Sequence, residues 1–440
     1  PHNHVEALQS PSAQGWKAAT MSELASLSEN KVESPVEATS VPPHTKVIGT
    51  RWVFSVKPDG RFKAKLIAQG YRDRFKLPVG DVCSPVCHGD SQKIVLAVAN
   101  NFGWKIEQFD AWNQTADQAL KEMGWTATSY GPCLYQRGQG DQYALFVLYV
   151  DDCLITSKTK EDPLQQIKKG LEGRFKIKRL GPASNFLRLK IERNDEIGIQ
   201  IIDQTSYVQE MFGRFDMINS KGIDIPIIRE QEHKGENKPL DGTELMYLST
   251  YTSFDITYAT WRLAKRMSGA TQWDLASAKR VLRYLKGRTD LTITFRRGEF
   301  ALKGYCDVSY CQPELNKKSV TGYTVMICGA PVDHYAKRRS ITAVNTTESE
   351  LVALDSCVKE VAFVRNLLGE LGIQQTSPVP VLCDNAAACY IAETTRHGSR
   401  TKHLTVSLRR IMDNMKSTHI KMTFVRGHLQ KSDCLTKTLG

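Results

Sequence analysis

The spacing of hydrophobic and polar positions changes several times along the chain, and each change marks a predicted element. The stretch Trp16 to Leu27 is mildly amphipathic and predicts a short helix, and Ser34 to Pro43, rich in Ser, Thr, Val and Pro, predicts an extended connector. From Val47 the pattern becomes strand-like: Val47 to Val56 and Arg61 to Ala68 flank Lys57-Pro-Asp-Gly60, a hairpin turn sequence. Helices are predicted over Ser91–Asn101 and over Ala111–Met123, the second stopped by Gly124, with a strand at Trp104–Phe109 ending on Asp110. Two apolar runs, Tyr143–Val150 and Cys153–Thr156, predict a hairpin with Asp151 and Asp152 at its tip. Residues 160–229 mix short amphipathic segments with breaks such as Gly181-Pro182, and Glu230 to Gly242 reads as a polar linker.

Helical periodicity returns at Asp255–Met267 and Trp273–Lys286, the latter closed by Gly287. In the second helix the stripe Leu275, Ala278, Val281, Leu282 and Leu285 predicts a buried face. From Leu302 three strands lead to a long helix at about Thr347–Leu371, whose apolar positions keep a three-to-four spacing. A strand at Val379–Cys383 runs into Asp384-Asn385 and a helix, Lys421–Val425 is another strand, and Ser432 caps a last helix. The fold class is therefore mixed, α/β and α+β, and 440 residues predict two or three domains.

Composition adds little to this, but charge adds a direction. The net charge of +12 favours a polyanionic partner. The sequence has no apolar run long enough for a membrane span and no signal peptide, which predicts an intracellular protein, and its 11 cysteines suit reduced thiols better than a disulfide framework. Cys83-Ser-Pro-Val-Cys87-His88 has no second ligand pair at useful spacing, which argues against zinc. A chain starting at Pro1 without methionine suggests a piece of a longer protein.

Candidate chemistry lies in acids at element boundaries. Asp151 and Asp152 repel one another, and a divalent cation such as Mg²⁺ suits them, although a solvated turn would also hold two Asp. In the C-terminal region Asp307 and Asp384 end strands, while Glu350 and Asp433 stand at helix starts. Each could be a capping residue. Converging at one sheet edge, the four would hold two Mg²⁺ ions and suit hydrolysis of a phosphodiester. Among the bases, Arg61, Lys63 and Lys65 share one strand face. Arg262, Lys265, Arg266, Lys279, Arg280, Arg283, Lys286 and Arg288 crowd the two helices between Trp261 and Arg288, against the single acid Asp274. Such faces are either solvated or tracks for phosphates.

The ordered blocks Trp16-Lys-Ala-Ala, Arg51-Trp-Val-Phe, Arg61 to Gly70, Gln108-Phe-Asp110, Tyr149-Val-Asp-Asp152, Thr347 to Leu354, Cys383-Asp-Asn385, Thr401-Lys-His403 and Asp433 to Lys437 carry a resemblance. Over essentially the whole chain the sequence resembles the reverse transcriptase–RNase H region of a copia-type LTR retrotransposon polyprotein. That resemblance implies a truncated right-hand polymerase, with fingers, palm and helical connection, followed by an RNase H-like α/β domain. The implied divisions are a connector at 1–45, fingers and palm at 46–229, linker and helical connection at 230–300, and RNase H at 301–440.

It further implies that Asp110, Asp151 and Asp152 are polymerase metal ligands, that Lys63 and Lys65 face the incoming deoxynucleoside triphosphate, and that Asp307, Glu350, Asp384 and Asp433 form the ribonuclease H tetrad. Mg²⁺ would serve both sites, with Mn²⁺ as a substitute. Lys279, Arg280, Arg283 and Lys286 would track nucleic acid. Expected partners are RNA, DNA, their hybrid, and the protease and integrase regions of the same polyprotein, in a cytoplasmic virus-like particle or the nucleus. His428, shortly before Asp433, is either a surface residue or an aid to product release.

One departure from the family is large. Between Asp110 and Trp112 the family has several dozen residues, and here the two are almost adjacent, as an internal deletion or a falsely excised intron would leave them. The join predicts impaired polymerase chemistry and directs attention to the C-terminal tetrad. The alternative is a relic that only binds nucleic acid.

Overall fold

The computed structural model describes residues 3–29, 36–42, 47–56, 60–69, 86–112, 116–150, 152–158, 169–170, 176–228, 242–288, 291–312, 318–339, 345–394 and 405–438. The chain divides into two compact units, 1–84 and 85–440.

In the first unit, helices α1 (His4–Gln9) and α2 (Ala13–Glu29) accompany the hairpin of β1 (Thr50–Val56) and β2 (Phe62–Ala68), paired antiparallel from Thr50↔Ala68 to Val56↔Phe62. The alternation of β2 explains the packing. Ala64 is buried and Lys65 beside it exposed, while Trp16 of α2 meets Phe54 and Phe62 edge-on at 5.3 and 4.5 Å. Gly15 permits this approach, since a Cβ there would stand 2.5 Å from the Phe62 ring.

Among the described residues the second unit holds three sheets. The first runs in the order β4-β5-β6-β7-β3-β8, built from β3 (Lys105–Trp112), β4 (Thr126–Ala127), β5 (Leu134–Arg137), β6 (Ala144–Tyr149), β7 (Asp152–Ser157) and β8 (Lys176–Pro182), with every pairing antiparallel. Helix α3 (Gly89–Asn101) is buried from Ser91 to Asn100. The helix expected from Ala111 instead begins at Ala116 as α4 (Ala116–Glu122), because Ala111 and Trp112 continue β3 and pair with Ile177 and Lys176 of β8. Gly181-Pro182 is likewise no break but the end of β8. Edge position spares Pro182 a ladder donor, and Gly181 takes φ +85°.

A second sheet, β12-β11-β10-β9, unites β9 (Asn185–Phe186), β10 (Leu189–Asn194) and β11 (Ile199–Asp203) with β12 (Thr292–Arg296), so segments on either side of the expected linker share one ladder. The linker itself lies outside the described residues, apart from Gly242. Four helices share a core with Tyr207, Leu248, Leu263, Val281 and Leu285: α5 (Thr205–Arg214), α6 (Thr243–Tyr251), α7 (Thr257–Ala264) and α8 (Gln272–Gly287). Helix α6 was not anticipated, and the helix expected at 255–267 is a 3₁₀ turn at Phe254–Ile256 followed by the shorter α7. Within α8, Leu275 is 41% exposed rather than buried; Asp274 takes the inner position and closes a capping box with Thr271.

The third sheet runs β15-β14-β13-β16-β17. Strands β13 (Leu302–Gln312), β14 (Lys318–Ile327) and β15 (Ala330–Arg338) form an antiparallel meander, and β16 (Val379–Cys383) and β17 (Ile420–Phe424) join parallel on the other side of β13. The long helix α9 (Thr346–Glu370) packs on β13, where Gly304 leaves room for Val361 and Cys357. Helices α10 (Ala386–Glu393) and α11 (Thr405–Lys416) complete it, α11 being an element the sequence reading did not place. The expected last helix is only a 3₁₀ turn at Asp433–Leu435.

Candidate active site: a four-carboxylate cluster

Each acid of the C-terminal set is held by its own element. Asp307 lies within the central strand β13, paired with Gly322 of β14, and is 3% exposed. Glu350 sits in the first turns of α9, whose start is fixed by Asn345 accepting from Glu348 N at 2.8 Å and by Ser349 Oγ meeting Ser319 Oγ of β14 at 3.2 Å. Asp384 follows β16 in a turn set by Asn385, whose side chain caps α10 by accepting from Ala388 N at 2.9 Å. The loop bearing Asp433 is tied to β13 through Gln430 Nε2 on Cys306 O (2.8 Å) and Ser432 Oγ on Tyr305 O (2.9 Å). Parallel pairing of β13 with β16 brings Asp307 and Asp384, one residue past the Cys306↔Cys383 pair, to the same edge.

The side chains converge. Carboxylate oxygens of Asp307, Asp384 and Asp433 lie within 4.8 Å of one another, and so do ligand atoms of Glu350, Cys383 and Asp384. Asp384 belongs to both groups. Burial, joined by the charges of Asp433 and Asp384, raises the Asp307 pKa to about 6, despite the Thr436 hydroxyl donating to its Oδ2 and the nearby Lys437. Burial and then Asp307 and Asp384 push Glu350 up to about 9, and burial raises Asp384 as well. Lys437 pairs with Asp433 Oδ2 at 3.0 Å; its burial disfavours charge, but the surrounding carboxylates raise its pKa. Asp433 Oδ1 is buried without a hydrogen-bond donor. Acids that repel one another and a carboxylate oxygen left unpartnered are the donor set that a hard divalent cation fits. Thr436 and Lys437, which touch two of the four acids, were not singled out from sequence, and only their place in the block from Asp433 to Lys437 pointed toward them. His428 is exposed on a loop whose Gly427 comes so near that a Cβ would stand 3.8 Å from Asp384 Oδ2.

The other expected residues are distributed differently. Strands β6 and β7 form the hairpin, with Tyr149 opposite Asp152, and the same Asp152 stands opposite Asp110 of β3 in backbone register. Asp152 is half-buried, and Asp151 lies outside the described residues. Lys63 and Lys65 belong to the first unit, on the strand face opposite Ala64. On α8, Lys279 and Lys286 are exposed, Lys286 lying 5.0 Å from the Phe212 ring. Arg280 and Arg283 are half-buried, and Arg283 Nε donates to Lys221 O at 2.9 Å. Of the other cations expected to point outward, Arg262 is buried and Arg288 pairs with Asp255.

Comparison with known proteins shows what the chain is similar to. Residues 35–111 and 110–229 match the family described as reverse transcriptase (RNA-dependent DNA polymerase), in two pieces that meet where the sequence reading puts the deletion. The chain is similar along its whole length to the reverse transcriptase–RNase H region of copia-type retrotransposon polyproteins. The Pol polyprotein of transposon TNT 1-94 from Nicotiana tabacum is 26% identical over an alignment of 508 residues, covering 100% of this chain and 38% of that protein. That of transposon RE1 from Arabidopsis thaliana is 28% identical over 504 residues, covering 100% and 34%. Both alignments are longer than the 440-residue chain, so these relatives carry residues that it lacks. The chain spans little more than a third of their length. Among solved structures, LC11-RNase H1 in complex with an RNA/DNA hybrid matches 31% of the chain and 93% of its own, at 11% identity and TM-score 0.25. The Prototype Foamy Virus protease–reverse transcriptase matches 97% and 55%, at 13% identity and TM-score 0.25.

Proposed function

We propose that the chain hydrolyses the RNA strand of RNA–DNA hybrids at the cluster of Asp307, Glu350, Asp384 and Asp433, and that its polymerase site is impaired. The observation that carries this is the meeting of four acids from four separate elements, two of them buried, around one orphaned carboxylate oxygen. Asp307, Asp384 and Asp433 would hold one divalent ion, Mg²⁺ by preference for hard oxygen ligands, and Asp384 with Glu350 a second. When bound, such ions supply Lewis-acid stabilisation of a phosphoryl centre. Thr436 orients Asp307 by hydrogen bond, and Lys437 holds Asp433 in place through their ion pair.

The polymerase reading rests on Asp110, Asp151 and Asp152 with Lys63 and Lys65 toward a deoxynucleoside triphosphate. The two-piece family match supports a lost palm segment there. Positional errors of about 1 Å can cost ~10²-fold in rate, and a missing wall costs more. RNA, DNA and their hybrid are the partners of this reading, with the protease and integrase regions of the same polyprotein.

Full-length chain incubated with labelled hybrid and Mg²⁺ should cleave the RNA, and Asp307→Asn should not. Cleavage no greater than that control would favour the relic that only binds nucleic acid. Primer extension by the same preparation should be undetectable beside an intact polymerase of this class, and robust extension would sink the impaired-palm half of the proposal.

A further inference from the structure

We infer that a second site, a basic pocket between α7, β14, β15 and α9, grips the sugar–phosphate backbone of a nucleic-acid strand and stacks a base or sugar on its aromatic wall. The inference rests on the hydrolase reading only in taking that strand to belong to a hybrid. The pocket has a volume of about 580 Å³, and Trp261, Lys265, Thr321, Tyr335, Arg338 and Arg339 are among its lining residues. Among the described residues none in the lining is acidic. Lys265 Nζ lies 4.2 Å from the Trp261 ring centroid, and burial together with the positive charges of Arg338, Lys318 and Arg262 lowers its pKa. Arg339 Nη1 and Thr321 Oγ1 are buried and make no hydrogen bond. Glu348 acts on Arg339 from outside the lining.

Cations crowded together without a lining carboxylate, beside buried polar atoms left unpaired, call for an anion with several acceptor oxygens. Inorganic phosphate would leave most of such a volume empty, whereas a strand also offers ring faces. Tyr335 is suited to receive one. Its ring is 36% exposed and held parallel to Tyr323 at 5.3 Å and 12°. Stacking of this kind accepts any base, as each has a π-face.

The pocket lies near the carboxylates along the sheet. Lys337, also in the lining, pairs with Thr321, and Thr321 pairs with Val308, the neighbour of Asp307. Thr321 also lines the pocket, so one strand spacing, or about 5 Å, separates the pocket's edge from β13, where Val308 shares the face of Thr321, and Asp307 takes the other. On α9, the lining residue Val352 stands two positions after Glu350.

The test is fluorescence anisotropy of the full-length chain with a labelled RNA–DNA hybrid, in chelator, over a series of KCl concentrations. Each lost phosphate contact should lower the slope of log K against log salt by about 0.7–0.9. Lys265→Gln/Arg338→Gln should therefore lose nearly two from the slope and bind at least tenfold more weakly at low salt, whereas Lys265→Arg should retain both. Tyr335→Leu should weaken single-stranded DNA roughly tenfold with the slope unchanged. Variants are first compared with the parent by circular dichroism melting. If Arg338→Gln does not fold, the exposed Lys265→Gln and Lys265→Arg pair decides alone. Folded variants with parental affinity and slope would overturn the pocket even if the parent cleaves hybrid. A parent that binds with the expected slopes but never cleaves would overturn the hydrolase reading and leave the pocket standing.

Discussion

Asp307→Asn should make the protein more stable while abolishing cleavage. The carboxylate is 3% exposed, and its pKa stands at about 6 against an ordinary 3.8. The folded state therefore binds this proton more tightly than the unfolded chain does. Stability from this group is full below the unfolded value and is lost as pH rises through about 6. At 1.4 kcal/mol per tenfold change in proton affinity, the ionised Asp307 costs the fold about 3 kcal/mol at neutral pH. That net figure already contains the favourable bond from Thr436 and the attraction of Lys437. Asn keeps an acceptor for the Thr436 hydroxyl and removes the charge, so a gain of about 1–3 kcal/mol is expected in chelator. A chain of several sheets need not unfold in one step, so the appropriate readout is local: hydrogen exchange of the β13 and α9 amides, which should slow roughly 10- to 100-fold. The gain should shrink as pH falls through about 6 and vanish well below the unfolded value of 3.8, where both states are protonated. Added Mg²⁺ should narrow it, by stabilising only the parent. Faster exchange in Asp307→Asn at neutral pH, or a gain indifferent to pH, would refute the account of burial and mutual repulsion.

Two further outcomes test the scaffold. Asp355 is 4% exposed and accepts from Arg410 Nη1 at 2.8 and 3.1 Å, from Ser407 at 2.9 Å, and pairs with Lys359 at 3.0 Å. Asp355→Ala should cost about 1–3 kcal/mol and release α11 first, visible as early loss of exchange protection at 405–416; unchanged protection would count against the ion-pair network. A Cβ on Gly304 would stand 2.7 Å from Val361 Cγ2 and 2.8 Å from Cys357 Sγ, so Gly304→Ala should cost about 1–3 kcal/mol by melting. Cys357→Ala in the same chain should recover part of that loss, and strict additivity of the two changes would be inconsistent with a contact between them.

The acids were legible because apolar runs stop at them: Asp384 and Asp433 do stand at element boundaries, whereas Asp307 and Asp110, expected at strand ends, lie inside β13 and β3, which run on to Gln312 and Trp112. Their convergence was not. It depends on the order β15-β14-β13-β16-β17, in which β16 pairs beside β13 with residues 77 positions away, as in Cys306↔Cys383, and no local pattern encodes a non-local parallel neighbour. For the same reason the pairing of 292–296 with 199–203 was not foreseen. Helix α11 did leave a signal, with Leu408, Ile411 and Met412 buried at helical spacing, although no element was expected there. Arg262 and Leu275 failed in opposite senses. Hydrophobicity alone assigned Leu275 inward and Arg262 outward, whereas the capping box turned Asp274 inward and α7 buried Arg262 among its own neighbours.

The shortened connection after Asp110 separates two things that the family resemblance had joined. The join falls inside a strand rather than in a loop. Ala111 and Trp112 continue β3 and find ladder partners in Ile177 and Lys176, so sheet hydrogen bonds absorb the new sequence. Upstream of the join the register of β3 with β7 holds from Lys105↔Ser157 to Asp110↔Asp152. Backbone opposition of the two acids is thus a property of the sheet and survives without the missing segment. What a sheet cannot replace is a wall: the residues that would cover template and nucleotide have no counterpart between Asp110 and Trp112. In the proposed reading, polymerase chemistry would fail through what should surround its acids, since the backbone opposition of Asp110 and Asp152 is kept. The C-terminal cluster, whose four acids are all held by described elements, is where the proposed hydrolysis would take place.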